Sequence, residues 1–366
     1  MTKRARGRLT ENVRILWVLV SKDIVGTVRN KNTLGVLLPT LFLVVFYRAM
    51  PLFVFKEEQP TVLLYDAGQS RLTEAMRGSP NLSLYEYPSQ AVMEEKLAVG
   101  GDEEEIGLVI PANLDELLDA GDQLELEGYV LNWVSDSAAQ FMKSYMEEEI
   151  ADLVEQPVQI NVEENTVYVR PDSFGFPFFT AEGLIIVIMM IGVSLTPNLI
   201  FEEKQSKTMD ALMVSPANDT LIIVAKSLTG LFYCFAAGAL VLALSIPLLM
   251  HWGLTILTVL VGSLFAVSLG LFFGSIFEVR QQMMIWGFTA FAVLLIPTFL
   301  TILEPLVPVV LVDIMQWIPT VALLNVVRGS LAESAPFIQY GPWLLLVLGY
   351  TVLILGAVVW INRRAE

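Results

Sequence analysis

The 366-residue sequence holds few side chains whose type and spacing could make or break covalent bonds. His251 is its one histidine, which excludes a histidine pair as zinc ligands and argues against a Ser-His-Asp triad. Cys234 is its one cysteine and lies in a long apolar run, where a small buried side chain is the simpler interpretation. Neither a G-x-x-x-x-G-K-[ST] phosphate loop nor a G-x-S-x-G sequence occurs. We therefore predict no catalytic residue, no metal ligand and no cofactor bound by this chain.

Charged residues inside apolar runs are better candidates for function, because such residues usually face protein and pair with one another. Arg48 lies 14 residues into the first long run, roughly 21 Å along a helix, and Glu182 lies four residues into the second. Two interpretations stay open: an Arg48–Glu182 ion pair, or two side chains that reach the membrane interface separately. Glu304 and Arg328 belong to a later apolar segment, where they could contact a substrate or each other.

The apolar residues, 55% of the sequence, gather in six runs of about 20 residues, the length that crosses a hydrocarbon core of ~30 Å. We predict an α-helical polytopic membrane protein with six transmembrane helices. The runs are Leu34–Phe55, Phe178–Phe201, Leu221–Leu249, Trp252–Phe277, Met283–Leu303 and Trp343–Ile361.

Lysine and arginine predict the orientation, since they concentrate in cytoplasmic segments. Eight of them precede the first run, and the others near span ends fall on the same side if there are six spans. Both termini are therefore expected in the cytoplasm. Residues 1–33 read as a tail with an amphipathic interfacial helix, whose apolar stripe is Trp17, Val20, Ile24 and Val28. Lys226, early in the third run, is expected to reach the cytoplasmic headgroups.

Residues 56–177, between the first two spans, differ in character. They carry 26 acidic and six basic residues, a net charge of −20 in a chain whose total is −16. The segments PTVLLYD, EIGLVIP and LELEGYVLNW read as strands, SAAQFMKSYMEEEIADLVEQ as a helix, and VQINVEENTVYVR as a strand pair or one long strand. We predict one extracytoplasmic mixed α/β domain. The strong acidity of the chain argues against a nucleic-acid partner.

The connector after the second span, residues 202–217, is short, charged and patterned as a helix. Met209, Leu212 and Met213 share one face, Glu203 and Lys207 form a favourable pair, and Pro216 ends the helix. Such a helix could float at the lipid interface, or it could bind a groove on a soluble partner.

With the α/β segment after span one, this connector resembles the permease subunit of type-2 ABC exporters, in the sodium- and multidrug-exporter-like branch. That family carries an E-[KR]-x-x-x-T-x-x-x-L-x-x-[ST]-P-like sequence here. The matching positions are Glu203, Lys204, Thr208, Leu212, Ser215 and Pro216. Ser206-Lys207 stands where the family often has Arg-Gly, which leaves the start of the helix less well defined.

The resemblance implies a coupling helix over 202–217 seated on a separate ABC ATPase subunit, which would hold the ATP and magnesium. It also implies a second permease copy, identical or paired, in a bacterial or archaeal cytoplasmic membrane. A re-entrant pair of short helices is expected at 304–334, where Pro305, Pro308 and Pro319 break the apolar run. The residues expected at the ATPase contact are Glu202, Glu203, Lys204, Lys207, Thr208, Met209, Leu212, Met213 and Pro216.

The function implied is outward transport coupled mechanically to ATP hydrolysis on the partner, with sodium, a drug, a lipid or a glycan as substrate. The alternative is a membrane-anchored sensor or envelope interaction protein that uses its outer domain without transport.

Two further positions bear on helix packing. Pro197 could kink span two and relay motion, or pack against a neighbouring helix, and Gly270 with Gly274 favours close helix approach.

Overall fold

The computed structural model describes residues 3–29, 38, 42, 45–46, 60–100, 105–121, 123–162, 165–205, 219–245, 248–333 and 335–365. They form an α/β unit, a bundle of long apolar helices and an N-terminal helix, α1 (Lys3–Arg29). The α/β unit contains β1 (Thr61–Asp66), α2 (Arg71–Gly78), β2 (Ser83–Glu86), α3 (Gln90–Val99), β3 (Glu105–Ile110), α4 (Leu114–Ala120), β4 (Leu124–Leu131), α5 (Asp136–Val154), β5 (Val158–Asn161) and β6 (Thr166–Val167). The bundle contains α6 (Phe176–Gln205), α7 (Asp219–Leu244), α8 (Trp252–Ile276), α9 (Arg280–Leu300), a 3-10 turn (Thr301–Leu306), α10 (Val309–Met315), α11 (Pro319–Leu331) and α12 (Phe337–Ala365).

Five of the described helices, α6, α7, α8, α9 and α12, are long and apolar enough to cross a membrane. The expected first span at 34–55 lies mostly outside the described residues. Its described positions Leu38, Phe42, Val45 and Phe46 are helical and exposed, and their spacing puts them on one helical face. The Phe42 and Phe46 rings lie 6.3 Å apart, as expected one turn apart on a helix. The count of six spans stays a prediction.

The segment expected to be re-entrant does break into two helices. α10 and α11 meet at 89°, and Pro319 occupies the first turn of α11, where its missing N–H costs nothing. Nearly every residue of α11 is buried among α6, α8 and α12. Exposed apolar side chains cover α10 instead. A short helix surrounded by protein tolerates the interrupted backbone that lipid would not.

The sheet of the α/β unit has the strand order β2-β1-β3-β4-β5, with β6 paired to the far end of β4. β1 pairs in parallel with β2 and β3, β4 runs antiparallel to β3, and β5 and β6 run parallel to β4. β1, β3 and β4 occupy the segments predicted as strands, and the last predicted strand segment forms two short strands, β5 and β6, each of which pairs with β4. The sequence analysis did not predict α2, β2, α3 and α4.

The two faces of this sheet have different neighbours. One face packs on α2 and α5, with Leu72, Met142 and Met146 buried in a core of its own. The other face, which includes Leu63 and Tyr129, packs on α3 and shares one continuous core with the helix bundle. The sheet is therefore not a separate globule, because one of its cores is completed by transmembrane helices.

The turn after β1 is organised by one carboxylate. Asp66 accepts hydrogen bonds from the amides of Gly68 (2.9 Å) and Ser70 (2.6 Å) and from the hydroxyl of Thr73 (2.5 Å). Burial acts to raise the pKa of Asp66, but these hydrogen bonds outweigh it, so the pKa lies below its ordinary value. Ser70 also caps α2 by accepting from the Thr73 amide.

A short linker joins the sheet to α6 and fixes their relation. The amides of Arg170 and Phe174 donate to the carbonyls of Ala98 and Val99 at the end of α3, at 3.1 and 3.0 Å. The rings of Trp133 and Phe176 lie 5.1 Å apart, so aromatic packing continues across the junction. Below, the end of the bundle next to this linker is called the sheet end, and the end where α6 stops and α7 begins is called the connector end.

Candidate transport site

The contact between α6 and α8 is built on glycine. A Cβ placed on Gly270 would lie 2.2 Å from the carbonyl oxygen of Gly192, and one on Gly192 would lie 2.3 Å from Ala266 Cβ. A Cβ on Gly274 would lie 3.3 Å from Pro197 Cα. The predicted close approach at Gly270 and Gly274 is therefore confirmed, and Pro197 packs against α8 at that point.

A cavity of about 190 Å³ lies between α6 and α9. Its wall is mainly apolar, with two phenylalanines and three methionines, and its few polar groups come from α6. The lining residues are Met190, Val193, Ser194, Asn198, Met283, Met284, Gly287, Phe288 and Phe291. A cavity of this kind, apolar with a few convergent polar groups, is typical of sites for small organic ligands.

The polar groups of this cavity wall include hydrogen-bond acceptors that lack a usual donor. Pro197 has no N–H, so the carbonyl of Val193 lacks its usual helical donor. The buried Asn198 side chain donates from Nδ2 to the Ser194 carbonyl at 2.6 Å. Its Oδ1 has no hydrogen-bond partner within the described part of the chain. The α6 side of the wall therefore contains oxygen atoms that lack their usual donors within the described part of the chain.

At the sheet end of the same α6–α9 seam lies a buried carboxyl group. Glu182 is fully buried, and its Oε1 lies 2.6 Å from the hydroxyl of Thr298 on α9. The same hydroxyl lies 2.6 Å from the Leu295 carbonyl, yet a hydroxyl has only one hydrogen to donate. Both contacts are satisfied at once when the Glu182 carboxyl carries a proton and donates it to Thr298.

Arg328 on α11 also lies at the sheet end, where it contacts the linker. Its Nη2 donates to the Ser173 carbonyl at 3.3 Å, and its guanidinium lies 5.5 Å from the centre of the Phe178 ring. Arg328 therefore joins α11 to the linker and to the start of α6. It also lines a second cavity of about 50 Å³ together with Asn325 and other residues of the 3-10 turn, α10 and α11.

Several predicted residues lie outside this description. Arg48 lies outside the described residues, so the Arg48–Glu182 pair stays a prediction. The backbone of Glu304 belongs to the 3-10 turn, but its side chain is not described. α6 continues in helical form to Gln205, which carries the backbone of the first three predicted ATPase-contact residues. The other predicted contact residues, from Lys207 to Pro216, lie outside the described residues.

The expectation for Lys226 was wrong. Its side chain is 5% exposed, and its Nζ lies 2.8 Å from Oδ2 of Asp23 on α1, which is 8% exposed. The lysine therefore pairs within the protein instead of reaching headgroups, because a buried acidic partner from another helix is available. The predicted apolar stripe of α1 is also divided. Val20 is buried against the bundle, whereas Trp17 and Val28 are exposed.

The sequence model that describes an ABC-2 family transporter protein matches residues 33–361, which is most of the chain. The chain belongs to the ABC-2 transporter family. This places it among multi-pass membrane proteins of the transport permease type.

Two curated proteins resemble this ABC-2 transporter over most of its length. Both carry the name "Probable multidrug ABC transporter permease YbhR", one from Escherichia coli strain K12 and one from Escherichia coli O157:H7. Each is 23% identical over 289 residues, which cover 75% of this chain and 77% of the relative.

The sequence analysis missed three residues of this ABC-2 transporter that the structure brings to the foreground. Asn198 and Thr298 are two of several uncharged polar residues in their apolar runs, so nothing in the local pattern distinguished them. Asp23 did carry a signal, since it lies three residues after Val20 on the face that the helical period assigns to the protein.

Proposed function

We propose that this chain is the membrane-spanning permease subunit of an ATP-driven exporter, in a bacterial or archaeal cytoplasmic membrane. A separate ABC ATPase subunit would bind ATP and magnesium, and a second permease copy would complete the complex. Both termini would lie in the cytoplasm and the α/β unit outside. The family membership and the multidrug name of the relatives support this proposal, and the cation distribution in the sequence supports the orientation.

The observation that carries the proposal is the cavity between α6 and α9. α6 and α8 are in close backbone contact at Gly192 and Gly270, so we expect these two helices to move together. α9 has most of its surface exposed and touches α6 chiefly along the cavity seam. A push at the connector end would therefore change the α6–α9 gap first. The Glu182–Thr298 contact at the sheet end must part before a ligand can leave in that direction.

The chemistry of the cavity wall supports an aromatic, cationic substrate. Phe288 and Phe291 offer ring faces to a cation, and Ser194 and Asn198 are the polar residues of the lining. Neither lysine nor arginine lines this cavity among the described residues. A lipid phosphate or a free carboxylate would meet no positive partner there. Ethidium, a planar aromatic cation with two amino groups, is a suitable probe.

Efflux of ethidium from cells that lack their own drug exporters tests this substrate path. We expect Phe288→Ala and Asn198→Leu each to lower the efflux rate at least tenfold at equal amounts of protein in the membrane. Ile296→Ala is the matched control, because Ile296 is an exposed apolar residue of α9 outside the cavity lining. Equal efflux by Phe288→Ala and the control would reject the path.

Co-purification with the ATPase tests the subunit assignment separately from the substrate. In mild detergent, the wild-type permease should retain its ATPase subunit. Met209→Asp and Glu203→Arg should lose it, since both residues belong to the expected coupling helix. An ATPase that remains bound to both variants would place the contact elsewhere. The family membership speaks against the sensor alternative. A wild-type preparation that contains no ATPase would nevertheless support it.

A further inference from the structure

The N-terminal helix is attached to the bundle by two polar contacts along one line. Asp23 forms the buried ion pair with Lys226 of α7. One residue further along α1, the carbonyl of Ile24 accepts a hydrogen bond from the hydroxyl of Tyr233 at 2.7 Å. Lys226 and Tyr233 are seven residues apart, or two turns of α7 on the same face. α1 is therefore held along the first half of α7 rather than at a single point.

A buried ion pair of this kind contributes specificity of arrangement more than it contributes stability. Removing two charges from water costs about as much as their attraction returns, and apolar replacements of similar volume are often as stable. An apolar contact alone would let α1 slide or rotate on α7 at small cost. The Asp23–Lys226 pair allows one register, because any shift leaves a charge buried without its partner.

The position of the pair connects it to the connector. α7 begins at Asp219, directly after the 202–217 segment expected to be the coupling helix, and Lys226 lies two turns further on. α1 leads along the chain into the expected first span at 34–55. A displacement of the start of α7 would therefore be passed to α1, and from α1 to the first span, through the ion pair.

We propose that Asp23 and Lys226 are positioning residues that make α1 part of the unit moved by the connector. This inference rests on the proposed function, since it assumes that an ATPase drives the connector. Breaking the pair uncouples the permease from its ATPase without preventing their association. Reversing the pair restores coupling, because the buried site needs opposite charges and does not need a particular helix to carry either one.

The test compares Asp23→Asn, Lys226→Met and the reversed double variant D23K/K226D in the full complex. The measured quantity is the ATP hydrolysis rate of the purified complex divided by that of the ATPase subunit alone. We expect each single variant to keep the ATPase bound but to lose at least four-fifths of the change that the wild-type permease imposes on this rate. The double variant should recover at least half of it. Arg29→Met, an exposed cation on α1, is the matched control and should behave as wild type.

Three results would overturn the inference. The single variants could retain the wild-type rate ratio, the double variant could be as defective as they are, or the defect could follow only the amount of folded permease. Thermal unfolding of the permease alone reports on the ion pair without any ATPase, so this test can be separated from the test of the proposed function. If no ATPase assembles with the wild type, the proposed function fails and the coupling role with it. A non-additive cycle of melting temperatures would then still report the ion pair.

Discussion

The contact between Gly270 and Gly192 makes a quantitative prediction possible, because a single methyl group has no room there. A Cβ on Gly270 would sit 2.2 Å from the Gly192 carbonyl oxygen, about 0.8 Å inside the 3.0 Å that real Cβ contacts respect. The atom it meets is backbone, so no side chain can turn away. Gly270→Ala therefore forces α8 away from α6.

The expected cost follows from two opposing effects. Overpacking of this type costs ~1–3 kcal/mol, and a gap of about 0.8 Å forfeits a quarter to a half of each dispersion contact along the seam. Alanine in place of glycine returns up to about 1 kcal/mol of helix propensity. We expect a net loss near 2 kcal/mol for Gly270→Ala. Gly349→Ala in α12 is the matched control, because a Cβ there meets no atom within 4 Å, and it should be neutral or slightly stabilising.

Unfolding in mixed detergent and SDS micelles, followed by tryptophan fluorescence, measures both variants. Gly270→Ala should unfold at a clearly lower SDS fraction than wild type, and Gly349→Ala at the same or a higher one. The reasoning is refuted if the two variants unfold together. Adding Gly192→Ala to Gly270→Ala should cost less than the two single losses combined, because the first methyl group has already separated the helices.

Two further predictions concern single carboxyl groups. Since its folded pKa is lowered, Asp66 stabilises the α/β unit fully above its ordinary pKa of 3.8, and this stabilisation is lost as the pH falls through the folded value. Asp66→Asn should thus lower the melting temperature more at pH 7 than at pH 3, whereas the exposed Asp152→Asn should not; an equal loss at both pH values contradicts the hydrogen-bond argument. At Glu182, glutamine can donate to Thr298 as a protonated carboxyl does, so Glu182→Gln should preserve thermal stability and Glu182→Ala should lower it by ~2–3 kcal/mol. Similar losses for both substitutions would show that the carboxyl is ionised in the folded protein.

The apolar spans could be predicted well from the sequence, whereas their ends could not. Burial in lipid needs a certain apolar length, which the composition records directly. The ends depend on local backbone chemistry. α7 stops at Leu244 and not at Leu249, because Pro247 disfavours helix before it. α12 begins at Phe337, six residues before the apolar run that revealed it, and its first turn includes the exposed Phe337 and Ile338.

The partners of buried charges were the part that the sequence could not provide. The partner of a buried charge depends on the rotation of each helix about its own axis and on which helix lies beside it. The local sequence pattern predicts neither. Glu182 meets Thr298, 116 positions away, and Lys226 meets Asp23, 203 positions away. The prediction from the G-x-x-x-G sequence was confirmed because close approach of two backbones requires only small residues at the contact. It does not require the partner helix to be known.

The shared core of the sheet and the bundle limits how this protein can be dissected. A soluble fragment cut at the linker would keep α3 on this face of the sheet but would lose the bundle residues that complete its core, such as Phe176 against Trp133. The apolar surface uncovered in this way favours aggregation. Antibodies or binders raised against the intact protein will instead find the α2 and α5 side, the only broad face of the described sheet that membrane helices do not cover. Reagents for locking or reporting on this permease should be selected on the whole chain in detergent or nanodiscs.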